Sequence, residues 1–236
     1  MAKLVVIGTP IGNLEDISFR ALKWLGEVET LICEDTRVTG KLLHLYQERG
    51  WLERVPKLLA YNDFNAKQKL ARVKEVILQE RVTGLVSDAG MPIVSDPGYR
   101  LVRFCYDQGI EVEVIPGPSA VTMAMVMSGI GGGKFWFQGF LAKKKGKREK
   151  ELMVIKQVWE VEPDFQVILF VSPHRLIKEL EAIKVSLGAT TRVVLLRELT
   201  KKFEERWEGK VGELLVELAG KKIKGELVLV LARATE

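Results

Sequence analysis

The sequence predicts an α/β protein: a doubly wound, mostly parallel sheet in residues 1–116, then an α+β domain in residues 117–236. Three observations predict it. Apolar runs and amphipathic stretches alternate β-α-β-α-β-α-β-α-β from Lys3 to Ile115, the order of parallel strands joined by crossover helices. The alternation breaks at Pro116-Gly117-Pro118-Ser119-Ala120. A glycine-rich joint follows at 129–133, and the residues beyond it are rich in strands of a different arrangement.

In order, Lys3–Ile7 reads as a strand, and Asp16 is the expected cap of a helix to about Leu25 with Phe19, Leu22 and Leu25 on one face. Thr30–Cys33 is the second strand, with a helix through Leu42, Leu43 and Leu45 after it. A strand near Lys57–Ala60 and a helix at Ala66–Gln79 follow. The apolar run Val82–Val86 then empties into Ser87–Gly98, a loop with two Ser-Asp pairs, two prolines and two glycines. Proline fixes φ and glycine admits positive φ, so this loop's shape is largely written in its composition. A helix to Gln108 and a strand at Val112–Ile115 complete the first domain. The second domain should hold a helix around Val121–Met127 and strands at Phe135–Gln138, Gln166–Phe170, Arg192–Arg197, Phe203–Val211 and Glu226–Ala232. Helices are expected up to Trp159, after Arg175 and before the last strand.

The totals narrow the function classes. With 236 residues and 47% hydrophobic content the chain has ample core, and it holds no apolar run long enough to span a bilayer. Met1-Ala2-Lys3 runs directly into a strand too short for a signal sequence, so a cytoplasmic protein is expected. Cys33 and Cys105 sit in apolar patterns, and two histidines leave little material for a metal site. The net charge of +5 is concentrated: Lys143–Lys150 carries six bases and one acid, while the rest of the chain balances. Such a segment is either a local polyanion contact or a solvated surface loop.

Ligands of open α/β sheets bind beyond the carboxyl ends of the strands, so the residues there are the candidates. Gly8-Thr9-Pro10-Ile11-Gly12 occupies the place of a dinucleotide fingerprint, but Pro10 stands at the middle glycine and the third glycine is missing. That weakens a nicotinamide-oxidoreductase reading. Glu34-Asp35-Thr36-Arg37 could orient a hydroxyl or a phosphate, or could simply cap a helix with Arg37 bridging an acid. Pro116–Ala120 offers free N–H groups at a helix start, or is only a turn between domains. His174 and Arg175 close a strand, with no nucleophile elbow nearby.

Taken together, Thr9–Ile17, Cys33–Arg37, Ser87–Gly98, Pro116–Ala120, Gly139-Phe140-Leu141 with the basic segment, Ser172–Arg175 and Lys224-Gly225-Glu226 resemble the tetrapyrrole methylase superfamily. Within it they resemble the branch that methylates ribosomal RNA. Ala142 and Met91 depart from that branch, which usually carries Pro and Thr there. The resemblance implies S-adenosyl-L-methionine bound in a cleft between two domains, usually in a homodimer, with 2′-O-methylation of a cytidine in the decoding centre of 16S rRNA in the small subunit. By motif position, Pro10, Ile11, Gly12, Ala89, Gly90, Met91, Pro92, Val94, Ser95, Ser119 and Ala120 would contact the cofactor, joined by Val171 and Gly225. No metal is implied. A 2′-hydroxyl is a weak nucleophile, so Asp35 or Glu34 is expected to orient or deprotonate it, with Arg37 fixing the carboxylate or a phosphate. Asp88 and Asp96 could serve as catalytic acids or, equally, brace their loop through its own N–H groups. Lys143, Lys144, Lys145, Lys147, Arg148 and Lys150 would meet RNA phosphates. Two rivals remain: a porphyrinoid-precursor methyltransferase of the same fold, and a non-catalytic RNA-binding assembly factor.

Overall fold

Alternation along Leu4-Val5-Val6-Ile7 decides how the first sheet is covered. In the computed structural model, which describes residues 2–62, 65–93, 98–131 and 133–234, these residues lie in β1 (Lys3–Ile7). With β2 (Thr30–Cys33), β3 (Lys57–Ala60), β4 (Val82–Leu85) and β5 (Glu111–Ile115) it forms a wholly parallel sheet ordered β3-β2-β4-β1-β5. Successive side chains of a strand point to opposite faces. Val5 and Ile7 pack with Ala21 and Leu25 of α1 (Phe19–Glu27) and with Leu43 and Tyr46 of α2 (Thr36–Glu48). Leu4 and Val6 pack instead with Val73 and Ile77 of α3 (Ala66–Gln79) and with Leu101 and Cys105 of α4 (Tyr99–Asp107). Each such side chain contributes roughly 1.5–3 kcal/mol by leaving water, so both faces hold the sheet firmly.

The start of α1 differs from expectation. Asp16 ends a 3-10 turn, Leu14–Asp16, and Ser18 is the cap, accepting the Ala21 N–H at 3.1 Å. Phe19, the first residue of α1, is 93% exposed, while Leu25, about 120° round the helix from it, stays in the core.

Residues 1–119 and 120–236 are two compact units. In the second, α5 (Ala120–Ser128) precedes a mixed sheet ordered β6-β7-β10-β8-β9. Its strands are β6 (Phe135–Phe140), β7 (Gln166–Val171), β8 (Arg192–Arg197), β9 (Glu205–Lys210) and β10 (Leu227–Ala232). Among the described residues only the β6–β7 pairing of this sheet is parallel. One face is covered by α6 (Lys145–Val161), α7 (Leu176–Leu187) and α8 (Val211–Glu217), where Leu152, Ile155 and Trp159 meet Leu180 and Ile183. The strand expected to run to Val211 stops at Lys210, because Val211 turns into the core as the first residue of α8.

The basic segment is also not a loop. From Lys145 onward it is the first turns of α6, since Leu152, Ile155 and Trp159 form one buried stripe that continues back to Arg148. Cations at a helix N-terminus oppose the dipole by about 0.3–1 kcal/mol each, less than the packing that holds the helix.

Beyond the strand ends, β1 and β5 come unusually close. A Cβ on Gly8 would lie 2.7 Å from the Gly117 Cα, and one on Gly117 would lie 2.8 Å from the Gly8 Cα. Backbone cannot yield as a flexible side chain can, so Gly8→Ala is expected to destabilise the protein by about 1–3 kcal/mol in denaturant titrations. Gly146→Ala, in α6 with open space around it, should instead stabilise by about 0.5–1 kcal/mol.

Candidate active site

The turns after β1 and β4 are joined by main-chain bonds. Thr9 N–H donates to the Gly90 carbonyl at 2.9 Å, and Gly90 N–H returns a bond to the Thr9 carbonyl at 3.1 Å. The buried Thr9 hydroxyl adds a bond to the Ser87 carbonyl at 3.3 Å. The turn after β5 joins through Met91, whose sulfur accepts the Gly117 N–H at 3.2 Å. Three strand ends of the parallel sheet thus meet at one edge. Pro10, Ile11, Gly90 and Pro92 are buried there, Met91 and Ser119 are half-buried, and Gly12 and Ala89 face solvent. Val94 and Ser95, with Asp96, lie outside the described residues. Ile93 takes a φ of 78°, a strained value for a β-branched residue.

On the other side, the same β4 turn meets β2 through carboxylates. Asp88 accepts the Asp35 N–H at 3.1 Å, and Glu34 accepts the Asp88 N–H at 3.3 Å. Asn62 ties in β3 by donating to the Glu34 carbonyl at 3.1 Å. Asp35 caps α2, accepting the Arg37 N–H at 2.8 Å, and its oxygens take the Arg37 guanidinium at 3.0 and 2.6 Å. That guanidinium holds the Asp35 carboxyl down at about 2. Burial acts the opposite way on Asp88 and raises it, partly offset by the Asp35 N–H. The two acids are therefore pushed apart, the pattern that separates an orienting carboxylate from a proton-accepting one. Asp35, the first choice from sequence, is the weaker base. Asp88, expected from sequence to brace its loop through the loop's own N–H groups, instead accepts the Asp35 N–H beyond β2, and burial raises its carboxyl. Its place directly after β4 was the available signal. Cys33 lies beside this group, but burial pushes its thiol up to about 11, which leaves it unreactive.

In the second unit, the Val171 side chain is buried in the core at the end of β7, so only its main chain can meet a ligand. Gly225 precedes β10 and lies against Glu198, which accepts the Glu226 N–H at 2.8 Å. Lys143, Lys144, Lys145, Lys147 and Lys150 are exposed, as an anion contact requires. Arg148 is not. It is 4% exposed and donates inward to the Ala142 and Lys143 carbonyls at 3.4 and 3.3 Å. Arg175 donates to the Leu141 and Ala142 carbonyls at 2.8 and 3.2 Å, and pairs at 2.8 Å with the fully buried Glu179. The two arginines hold the turn that carries the lysines, whereas His174 stays exposed. Among the described residues no group of His, Cys, Asp or Glu could hold a metal ion, and no helix is long and apolar enough to cross a membrane.

Residues 3–215 match the family described as Tetrapyrrole (Corrin/Porphyrin) Methylases. The chain is 42% identical over 233 residues to Ribosomal RNA small subunit methyltransferase I of Thermotoga maritima, covering 98% of this chain and 99% of that one. It is 42% identical over 230 residues to the protein of the same name from Mycoplasmopsis pulmonis, covering 98% and 97%. Among solved structures, uroporphyrin-III C-methyl transferase from Thermus thermophilus, complexed with S-adenyl homocysteine, superposes with a TM-score of 0.65 at 14% identity. That match covers 98% of this chain and 97% of the other, and it shows the fold.

The Arg148–Glu179–Arg175 cluster predicts a pH effect. Burial pushes the Glu179 carboxyl from 4.5 up to about 7, against the pull of Arg175 and Arg148. Between those values the folded chain holds a proton that the unfolded chain has released, so this contribution is full below 4.5 and declines as pH rises through 7. Denaturant titrations of wild type and Glu179→Gln across that window should show the variant gaining about 1–3 kcal/mol relative to wild type as pH rises. A constant difference would contradict the assignment.

Proposed function

The chain belongs to the tetrapyrrole methylases, and on that premise we propose that it methylates 16S rRNA, using S-adenosylmethionine, at the 2′-hydroxyl of a cytidine in the decoding centre. The relatives' printed activity supplies the substrate class. Within the chain, the observation that carries it is the run of exposed lysines between Lys143 and Lys150, a polyanion contact in a chain otherwise balanced in charge.

The first unit's strand-end turns fit the cofactor chemically. They meet through main-chain atoms, with Ala89 exposed and Met91 half-buried beside the buried Pro10, Ile11 and Gly90. Such a surface suits a nucleoside joined to an amino acid, which needs main-chain hydrogen bonds and apolar contact more than charge. Gly12, Pro92, Ser119 and Ala120 complete the proposed contacts, with main-chain groups at Val171 and Gly225 offered by the second unit. The cofactor supplies an electrophilic methyl group on a sulfonium.

The protein's own work is to hold the ribose hydroxyl in line and to accept its proton. Asp88 would accept the proton of the ribose hydroxyl, while Glu34 fixes the Asp88 main chain. Asp35, kept ionised by Arg37, orients and stabilises. Holding two reactants in line is worth roughly 7–11 kcal/mol of barrier, and a positioned base adds about 10²–10⁴-fold. A homodimer in the cytoplasm belongs to the same proposal.

Tritium transfer from labelled cofactor to small ribosomal subunits, with the product nucleoside identified by mass spectrometry, tests the reading. The expected product is 2′-O-methylcytidine. Binding of the same RNA should weaken as salt rises. Replacing Lys143, Lys144, Lys145 and Lys147 by Gln should flatten that log–log slope by about 0.7 for each phosphate left without its lysine. A base-methylated nucleoside, or no transfer to RNA, contradicts the reading.

A further inference from the structure

Strand β6 forms an edge of the second sheet and contains a bulge. Phe137 pairs with Ile168, but the next paired residue is Gly139, opposite Leu169, so Gln138 is an extra residue. Gly139 takes a φ of +71°, which side-chain-bearing residues rarely adopt. The consequence concerns Phe140. In a regular strand, residues three apart point to opposite faces, and Phe140 would face away from Phe137. The inserted residue brings both to one side. Their rings meet the Phe170 ring edge-on, with centroids 4.8 Å from Phe137 and 5.7 Å from Phe140. Phe140 remains 54% exposed and Phe135, at the start of the strand, 41%.

This aromatic corner is fixed to the basic segment. Leu141 is buried in the core, and its carbonyl and that of Ala142 are held by Arg175. The Ala142 N–H donates to Glu151 at 2.8 Å, and Arg148 takes the Lys143 carbonyl. The exposed ring and the first exposed lysine are thus three residues apart on a turn bonded at every residue between them.

We infer that Phe140, backed by Phe137 and Phe170, is a platform on which an unpaired base of the RNA stacks while the adjacent lysines hold its phosphates. This rests on the RNA reading above and adds a base contact to it. Aromatic faces beside a cationic groove are the means by which single-stranded nucleic acid is bound without reading base identity. A second copy of this chain fits the surface poorly. A two-fold contact centred here would bring two lysine runs together and set like charges against each other.

Phe140→Ala, Phe140→Leu and Phe140→Trp separate stacking from plain apolar contact. Methyl transfer to small subunits gives KM for RNA, anisotropy of a labelled single-stranded RNA gives Kd, and calorimetry gives cofactor affinity. Ala and Leu should each raise KM and Kd for RNA by about 5–100-fold, and Trp should stay within about twofold of wild type, with cofactor affinity constant throughout. If wild type methylates RNA and Phe140→Leu matches it in KM and Kd, the stacking platform is overturned while the RNA reading stands. If Phe140→Ala changes the sedimentation coefficient and leaves RNA affinity alone, the ring is a subunit contact and the inference fails. A wild type that neither binds nor methylates RNA overturns both.

Discussion

Strand β4 lies between β2 and β1, and that position makes its terminal turn answer to two neighbours at once. On one side Gly90 exchanges main-chain bonds with Thr9; on the other Asp88 and Glu34 exchange side-chain bonds with the opposite strand's main chain. Neither set is strong alone, since an intramolecular hydrogen bond nets about 0.5–1.5 kcal/mol. Together they fix Ser87–Met91 from both flanks. The Gly8–Gly117 approach then seats the β5 turn against the same edge. Remove β4 from the centre of the sheet and the proposed cofactor turns lose their common anchor.

The acids at this edge are shifted in opposite directions because their surroundings differ. Asp35 is exposed to its own helix N-terminus and to Arg37, so its charge is stabilised where it stands. Asp88 loses water through burial, and its charge is less favoured. One sequence motif, an acid after a strand, therefore yields two differently tuned carboxyls through solvation and one guanidinium. The second unit repeats the lesson at Arg148. In the sequence it is one base among six; in the fold it turns inward with Arg175 and Glu179 to hold the turn that displays the others.

Much of this was legible in the chain. The strand and helix alternation through Ile115 follows from apolar periodicity, and the strands at Lys3–Ile7, Thr30–Cys33 and Lys57–Ala60 fall where that periodicity puts them. The parallel sense of the sheet follows from the crossover rule; the order β3-β2-β4-β1-β5 does not. Three further features were not legible, each because it depends on tertiary packing. Phe19 is exposed because, as the first residue of α1, it lies about 120° round the helix from the buried Leu25. The lysine run is helical because a buried stripe ending at Trp159 extends back through it. The Asp88 carboxyl is raised by burial that a loop-like composition does not announce.

The most direct test of the proton acceptor is the single-turnover rate of methyl transfer to small ribosomal subunits, measured across pH for wild type, Asp88→Asn and Asp35→Asn. Asp88→Asn should lose about 10²–10⁴-fold in rate, and with it the acid limb of the profile, while cofactor affinity is kept. Asp35→Asn should lose rate but keep the acid limb, because its carboxylate, held at about 2, is already ionised over the working range. A near-normal rate in Asp88→Asn, or an acid limb that disappears only with Asp35, would contradict the assignment of Asp88.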